Sequence, residues 1–335
     1  MSREDRGPAT VVLANQKTFL APLDSTLLDA ARHAGLVLEH SCRTGRCGTC
    51  KARVVEGEAQ ALGSNVALNA SEQAAGWILT CTSGALTDMR LDISDLDLPA
   101  DVVTRTLPCR IDQMERLASD VMRLVLRLPP KSGLNYVPGQ YIDLIGNNGL
   151  RRSYSIANAP AEDARLELHV RRLPGGAMSE YVFEKAKVND LLRLHGPIGT
   201  FFLREVAGLD LVFLATGTGI APIKAMLAAL ATRDECLRPR SVTLLWGGRR
   251  PEDLYWLPPS EDVTYVPVLS RADEAWEGAR GHVQHVFLAR PAGDWRQTRV
   301  YACGSIEMID SARAALTRAG LSTRHFFSDA FVSSS

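Results

Sequence analysis

Four cysteines in the chain have the spacing of a metal-cluster site. Cys42, Cys47 and Cys50 form a C-x4-C-x2-C pattern, and Cys81 follows thirty-one residues later. Plant-type [2Fe–2S] sites have this spacing, with a distant fourth thiolate. Two glycines inside the pattern permit the positive φ angles needed by a loop that presents three thiolates to one small cluster. The spacing therefore predicts a [2Fe–2S] cluster bound by these four thiolates.

Zinc and disulfides are the alternative uses of these cysteines. A structural zinc site prefers paired short spacings, whereas Cys81 has no cysteine close to it in the sequence. Disulfides need an oxidising compartment, and the polar start Met1–Arg6 is unlike a signal peptide. We therefore favour the cluster, with reduced thiols and a cytoplasmic location.

A glycine-rich segment between an apolar run and a helical stretch is a candidate nucleotide site. Glycines let a pyrophosphate approach the backbone, and a proline fits the first helical turn because its missing N–H costs nothing there. The segment is not the G-x-G-x-x-G of the usual dinucleotide fold, and a plain strand–helix turn is the alternative. It reads Thr216-Gly217-Thr218-Gly219-Ile220-Ala221-Pro222.

The composition is that of a globular protein with more than one domain. The chain has 335 residues, of which 46% are hydrophobic and 23% are charged, and this length exceeds one ordinary core. Its 38 Lys and Arg residues balance 38 Asp and Glu residues, so no broad basic field favours nucleic acid. No apolar run has the length of a membrane span. We expect two or three domains, no nucleic-acid partner and no membrane span.

The elements around the cysteines predict a β-grasp domain. Residues 9–14 and 17–20 read as the two strands of a hairpin. A helix over residues 27–34 follows, capped by Ser25 or Asp24. Further strands are predicted at residues 51–56 and 89–93.

Two more regions follow this first domain. The acidic, proline-containing segment Asp95–Asp101 predicts a linker. Short alternating strands separated by Pro and Gly turns, up to about residue 203, predict an antiparallel β-barrel. From residue 210, strands buried on both faces alternate with helices, which predicts a doubly wound parallel sheet in an α/β domain. We place the boundaries at residues 1–95 for the first domain, 96–105 for the linker, 106–205 for the barrel and 206–335 for the α/β domain.

Four motifs in the predicted barrel occur together in one family of flavoproteins. They are Tyr136–Tyr141, Arg151–Ser155, Gly175–Ser179 and Gly196–Gly199. With these motifs in this order, the sequence resembles the ferredoxin–NADP reductase superfamily, and residues 1–95 resemble a plant-type ferredoxin domain. The resemblance implies that Arg152 binds the flavin pyrophosphate, that Tyr154 lies against the isoalloxazine and that the Ser155 hydroxyl lies near flavin N5. Gly176 and Ser179, at the start of a predicted helix, suit a second phosphate, so FAD is favoured over FMN.

The same resemblance extends to the α/β domain. It implies that nicotinamide dinucleotide contacts the segment described above, through Gly217, Thr218, Gly219 and Pro222. It places Cys303, in Tyr301–Ser305, beside the nicotinamide, although a free cysteine is commonly just a small buried hydrophobe. It also places Phe331 over the flavin ring. The catalytic residues that it implies are Ser155, Cys303 and Phe331.

Over residues 1–332 the sequence looks closest to the CDP-6-deoxy-Δ3,4-glucoseen reductases. The closer match lies in Gly139–Leu144, Arg151–Pro160, Gly199–Phe202 and Phe326–Val332. That family takes electrons from NADH and delivers them to a pyridoxamine-phosphate-dependent sugar dehydratase. The reductase components of aromatic-ring dioxygenases and phenol hydroxylases share the domain order, and the cofactor motifs do not separate the two groups.

The parts together predict an NAD(P)H-dependent electron-transfer reductase. A nicotinamide gives up two electrons as hydride, whereas a [2Fe–2S] cluster carries one electron at a time. FAD can exchange electrons either in pairs or singly, so it can connect the two. The expected acceptor is a partner protein, either a sugar dehydratase or an oxygenase component. A redox-sensing binding module and a structural protein with relic motifs are the alternatives from other classes. We favour NADH over NADPH, although Arg271 resembles an arginine that binds the 2′-phosphate in ferredoxin–NADP reductases.

Overall fold

The structure is a computed structural model that describes residues 7–99, 101–146, 149–259, 261–291 and 293–331. These residues divide into two compact units, of which one ends before Asp101 and the other spans Asp101–Phe331. The polar start Met1–Arg6 and the residue Val332 lie outside the described residues.

The first unit has the predicted β-grasp arrangement. Its main sheet has the order β2-β1-β7-β3-β5, in which β1 and β7 are parallel and the other neighbours antiparallel. Strands β4 and β6 form a separate pair, and α1 buries one apolar face. The elements are β1 Ala9–Val12, β2 Thr18–Ala21, α1 Leu27–His33, β3 Lys51–Glu56, β4 Ala59–Ala61, α2 Ala70–Ala74, β5 Trp77–Leu79, β6 Ser83–Ala85 and β7 Met89–Leu91.

Thr26 caps the N-terminus of α1, so the prediction of Ser25 or Asp24 was wrong. Thr26 has the extended backbone of an N-cap, and its hydroxyl accepts the amide N–H of Asp29 at 3.1 Å. The Ser25 hydroxyl instead donates to the carbonyl of Thr26. Because an N-cap must immediately precede the first helical residue, the difference follows from α1 beginning at Leu27.

The start of the predicted linker is fixed to the first unit. The Asp95 carboxylate accepts the amide N–H of Val37 at 2.6 Å and pairs with the Lys17 ammonium at 2.6 Å. The Leu96 amide donates to the Val37 carbonyl at 2.9 Å. Asp95 is therefore a buried anchor, although the acidic composition around it indicated a linker.

The second unit begins with an antiparallel barrel, as predicted. Its strand order is β11-β10-β13-β8-β9-β12, and an antiparallel bridge between Ile156, just after β11, and Leu168, in the middle of β12, connects the two outer strands. The elements are β8 Arg105–Ala118, β9 Val121–Arg127, β10 Tyr141–Ile145, β11 Arg151–Ser155, β12 Arg165–Arg171, α3 Ala177–Glu180 and β13 Leu191–Ile198.

The rest of the second unit is an α/β fold around an all-parallel sheet. The strand order β17-β16-β15-β14-β18-β19 reverses direction between β14 and β18, and such switch points are where α/β sheets bind ligands. The interior of β14 is completely apolar and buried, as is typical of a parallel strand that is covered on both faces. The elements are β14 Asp210–Thr216, α4 Ile220–Ala231, β15 Ser241–Gly248, β16 Val263–Leu269, β17 Ala279–Arg280, α5 Val283–Leu288, β18 Thr298–Ser305, α6 Ile306–Arg318 and β19 Phe326–Phe331.

None of the helices in the described ranges has the length and apolarity needed to cross a bilayer.

Candidate functional site

The four predicted cluster cysteines meet as two pairs of thiols. The Sγ atoms of Cys50 and Cys81 are 3.1 Å apart, and the Cys42 and Cys47 thiols form a second hydrogen-bonded pair. A [2Fe–2S] cluster with four cysteine ligands takes two thiolates on each iron. Among the described residues, no group of three or more ligands converges as a single metal ion would require. The paired arrangement fits a two-iron cluster better than one zinc ion.

Backbone N–H groups in the cysteine loop point at the sulfurs. The Thr44 amide lies 3.4 Å from Cys42 Sγ, and the Gly45 amide donates to the Cys81 sulfur. The neighbouring thiol and these amides lower the pKa of Cys42 and of Cys81. At Cys42 and Cys81 these contacts therefore favour anionic sulfur, which is the form that binds iron, whereas the partner thiol and burial raise the pKa of Cys47 and of Cys50.

Gly45 is required by the path of this loop. Its φ is 75°, which disfavours any residue with a side chain. A Cβ on Gly45 would also overlap the carbonyl oxygen of Ser64. This close approach allows the segment after β4 to lie against the cysteine loop.

The barrel brings three of its four predicted flavin motifs into contact. Strand β10 pairs with β11 on one side and with β13 on the other, and Tyr141 is the register partner of both Ser155 and Ile198. The buried amide of Gln140 donates to the Gly199 carbonyl at 3.0 Å and accepts the Val137 amide at 2.9 Å. Tyr136–Tyr141, Arg151–Ser155 and Gly196–Gly199 thus form one surface of the barrel.

On β11 the three predicted flavin residues differ in environment. Burial raises the pKa of the Tyr154 phenol, so its hydroxyl stays protonated at neutral pH. Ser155 is buried. The guanidinium of Arg152 remains partly accessible and donates to the carbonyl of Arg151 at 2.8 Å. The strand therefore presents an aromatic ring, a hydroxyl and a cation within four residues.

The Ser179 hydroxyl shapes the turn that begins α3. Its Oγ donates to the Gly176 carbonyl at 2.8 Å and accepts the Leu173 amide at 3.1 Å. A Cβ on Gly176 would lie 2.7 Å from that Oγ. The Ser179 hydroxyl therefore occupies space that only a glycine at position 176 leaves open. Both residues lie at the start of a helical segment, as predicted.

The predicted nucleotide turn lies against the end of β18. A Cβ on Gly219 would overlap the Cys303 carbonyl oxygen, and one on Gly304 would overlap the Thr216 hydroxyl. Two glycines thus allow the turn Thr216–Gly219 and the segment Cys303–Gly304 to touch at the carboxyl edge of the sheet. Pro222 lies in the first turn of α4, where its missing N–H leaves no broken bond.

Cys303 is completely buried beside a carboxylate. Burial, with the charge of Asp329, raises the pKa of its thiol well above the usual value, so the thiol is protonated and a poor nucleophile. Asp329 is itself 5% exposed and is the register partner of Cys303. No role was predicted for Asp329 from the sequence, although a carboxylate within the aromatic run Phe326–Phe331 was an available signal.

Phe331 and Arg271 lie at exposed strand ends. Phe331 ends β19 opposite Ser305 and is 40% exposed. Arg271 follows β16, and its amide donates to the Arg249 carbonyl at 3.0 Å, which joins the loops after β15 and β16. Both therefore lie at the carboxyl edge of the parallel sheet.

A second polar cluster was not predicted. Glu167 and His169 on β12 meet Lys224 on α4. A charged residue in the apolar start of α4 was the available signal. The contact itself joins residues more than fifty positions apart, and no local pattern reveals such a pair.

Comparison with protein families finds three domains in the predicted order. Residues 12–86 match the 2Fe-2S iron-sulfur cluster binding domain, residues 108–203 the oxidoreductase FAD-binding domain, and residues 213–314 the oxidoreductase NAD-binding domain. A curated relative from Yersinia pestis, the CDP-6-deoxy-L-threo-D-glycero-4-hexulose-3-dehydrase reductase, is 43% identical over 94% of this chain and 96% of its own. The chain belongs to the iron–sulfur flavoprotein reductases of the ferredoxin–NADP reductase superfamily. The resemblance to CDP-6-deoxy-Δ3,4-glucoseen reductases is thereby confirmed.

Oxygenase reductases are similar to this reductase at lower identity. The xylene/toluene monooxygenase electron transfer component XylA of Pseudomonas putida is 32% identical over 93% of this chain and 90% of its own. The solved structure of the Amycolatopsis cytochrome P450 reductase GcoB is 31% identical, with a TM-score of 0.75, and covers 98% of this chain and 100% of its own. This reductase is therefore an NAD(P)H-dependent oxidoreductase whose cofactors are FAD and a [2Fe–2S] cluster.

Proposed function

We propose that this reductase passes electrons from NADH to a CDP-sugar 3-dehydratase. The observation that carries the proposal is the 43% identity, over nearly the whole chain, to a reductase named for that partner. The monooxygenase electron transfer component XylA reaches only 32% over a similar length. The proposal places the protein in the cytoplasm, where thiols stay reduced and available for a cluster.

The proposal assigns each predicted site residue a role. Cys42, Cys47, Cys50 and Cys81 are the cluster ligands, and the amides around them stabilise their negative charge. Bound FAD would supply the exchange between two-electron hydride transfer and one-electron transfer to the cluster.

In the second unit the assigned roles are binding and orientation. Arg152, Gly176 and Ser179 hold the flavin phosphates, and Tyr154 packs against its ring. Ser155 and the protonated Cys303 orient flavin and nicotinamide without attacking either. Phe331, exposed at its strand end, covers the flavin until nicotinamide replaces it. Gly217, Thr218, Gly219 and Pro222 receive the dinucleotide at the carboxyl edge of the sheet.

An oxygenase component is the second candidate acceptor. The likeness to GcoB over the whole chain favours it, because the cofactor motifs are common to both groups and the acceptor is chosen by the docking surface. The two candidates share every step up to the cluster and differ only in the protein that receives the electrons.

The test is reconstitution with purified acceptors. The holoenzyme is incubated with NADH and either a CDP-sugar 3-dehydratase carrying pyridoxamine phosphate, or an aromatic-ring oxygenase component. We expect NADH oxidation coupled to sugar product only with the dehydratase. Turnover with the oxygenase alone would favour the second candidate. Failure to reduce either acceptor or ferricyanide would favour a redox sensor.

A further inference from the structure

The carboxylate of Glu167 is the centre of a buried charge cluster between the barrel and the α/β fold. Its Oε1 lies 2.8 Å from Lys224 Nζ and 2.9 Å from His169 Nε2, and its Oε2 lies 3.1 Å from Arg123 Nε. Glu167 and His169 belong to β12, Arg123 to β9 and Lys224 to α4. One carboxylate therefore joins two barrel strands to the helix that follows the nucleotide turn.

A chain of contacts leads from this cluster to the nucleotide turn. His169 Nδ1 lies 3.1 Å from the Tyr255 hydroxyl. The Tyr255 ring packs edge-on against the Trp246 ring, with 5.1 Å between the ring centroids. The Trp246 indole N–H donates to the Gly217 carbonyl at 3.0 Å. Lys224 lies on α4, five residues after Gly219. The nucleotide turn is therefore held at two points, through the Gly217 carbonyl and through the helix that follows it.

The cluster is equally connected to the flavin strand. The Glu167 carbonyl accepts the Ala157 amide at 2.8 Å, and the Ala157 carbonyl lies 3.4 Å from Lys224 Nζ. Ala157 comes two residues after Ser155 in the chain. Glu167 and Lys224 therefore contact the continuation of the strand that carries the flavin motif.

The cluster is held together by a carboxylate and three nitrogen donors, so its geometry is fixed by specific polar contacts. Glu167 is 9% exposed and borders a cleft of about 230 Å³, lined by Arg123, His169 and Lys224 among others. A buried charge is costly unless it is paired and hydrogen-bonded, and removing one partner is strongly destabilising. Apolar residues could join the two parts at lower cost, but they would not fix direction as a carboxylate with three donors does.

We propose that Glu167 is a positioning residue that, through Lys224 and His169, sets the nucleotide turn relative to the flavin strand. The inference rests on the proposed function, because it concerns hydride transfer between the ligands of those two sites. Reacting atoms must approach to about 3–3.5 Å, and a misplacement of about 1 Å costs about a hundredfold in rate. Glu167 itself touches neither ligand and acts only through its partners.

The experiment measures flavin reduction by NADH in a single turnover, per bound FAD. The variants are Glu167→Gln, Lys224→Met and the conservative Lys224→Arg. Asp112→Asn is the matched control. Asp112 of β8 forms a similar ion pair with Arg165 of β12, at 2.9 Å, but this pair joins two barrel strands and does not involve the α/β fold. FAD content, melting temperature and the dissociation constant for NADH are measured on the same samples.

We expect Glu167→Gln and Lys224→Met to lower the limiting rate constant by about tenfold or more, with a smaller change in the NADH dissociation constant. Lys224→Arg and Asp112→Asn should remain within about threefold of the wild type. If Glu167→Gln does not fold, Lys224→Met carries the comparison.

Two outcomes would overturn the proposal in different ways. Variants with lower melting temperatures but a wild-type rate per bound FAD would show that the cluster only stabilises the fold. A wild type that NADH does not reduce would refute the proposed function itself, and the positioning role with it.

Discussion

At the scale of single residues, the free thiols divide by their surroundings. Cys42 and Cys81 have amide and thiol donors that favour the thiolate, whereas burial keeps Cys109 and Cys303 protonated. The cysteine sulfur is thus favoured as a thiolate at two positions in the first unit and is a neutral, packed side chain in the second. The hydrogen bond from the neighbouring thiol is the main cause of the lower pKa of Cys42 and Cys81, and backbone N–H groups of the loop add to it.

Coenzyme choice is a prediction at this scale, and it concerns Arg271. The side chain is exposed after β16 and is followed by the exposed Asp273 and Glu274, whose charges would repel a 2′-phosphate or pair with the guanidinium. We expect kcat/KM to favour NADH in the wild type, and Arg271→Ala to change the ratio of the two coenzymes by less than about threefold.

Arg296→Ala is the control for this measurement, because Arg296 is also exposed but precedes β18, at the opposite end of the sheet. A wild-type preference for NADPH that disappears in Arg271→Ala, but not in the control, would contradict the prediction and make Arg271 a phosphate ligand.

Acid should destabilise the second unit through Glu167 and His169. Burial lowers the pKa of His169, outweighing the raising effect of Glu167. Burial acts to raise the pKa of Glu167, but hydrogen bonds from His169 and Lys224 lower it to about 2. In both cases the unfolded chain binds protons more readily. Stability is therefore lost as pH falls, from about 6.5 for His169 and from about 4.3 for Glu167.

The measurement is the free energy of unfolding by urea at several pH values between about 7.5 and about 5, where a fully linked proton contributes about 1.4 kcal/mol per pH unit. His169→Gln should flatten this dependence. An unchanged slope in the variant would show that other groups of this unit, such as His325, whose pKa burial also lowers, account for it.

At the scale of elements, the contact between the nucleotide turn and β18 depends on Gly219. Gly219→Ala should lower the free energy of unfolding by about 1–3 kcal/mol, because the added methyl overlaps the Cys303 carbonyl. NADH should also bind more weakly as the two segments separate. Urea denaturation and NADH titration check the two effects.

Gly293→Ala is the matched control, since its Cβ would meet nothing closer than the Asp210 carboxylate at 4.0 Å and its φ is not positive. Equal stability losses in both variants would mean that the close approach at Gly219 is not a constraint.

Elements with local signals could be predicted from the sequence, and those defined by distant pairing could not. Strand β14 could be predicted because its whole interior is apolar. Helix α6 could be predicted because its apolar residues recur at helical spacing. Strand β19 was missed because its aromatic run gains meaning only by pairing with β18.

The candidate site shows the same division. Three of the cluster cysteines, Cys42, Cys47 and Cys50, and the glycine motifs were identified because each group lies within a few consecutive residues. Asp329 and Glu167 acquire their roles from partners on other elements, which no spacing along the chain reveals.

At the scale of the whole molecule, the cluster cysteines and the flavin motifs lie in different compact units. Cys47→Ser should therefore abolish the visible absorbance of the cluster yet leave NADH oxidation by ferricyanide largely intact. The measurement is an absorbance spectrum with FAD content and ferricyanide assay on the same sample. Joint loss of FAD and ferricyanide reduction would show that the units are not independent, and Cys109→Ser, outside the cluster, controls for the substitution itself.

The position of β14 in the parallel sheet also decides when a growing chain completes the contact between the nucleotide turn and Cys303–Gly304. On the ribosome, β14 can pair with β15 once the chain has reached Gly248, but its other neighbour, β18, is complete only at Ser305. Pairing across so long an intervening segment costs loop-closure entropy and is slow. A nascent chain that stops before β18 therefore contains every strand of the barrel and the whole glycine turn. It lacks the segment Cys303–Gly304, against which that turn packs.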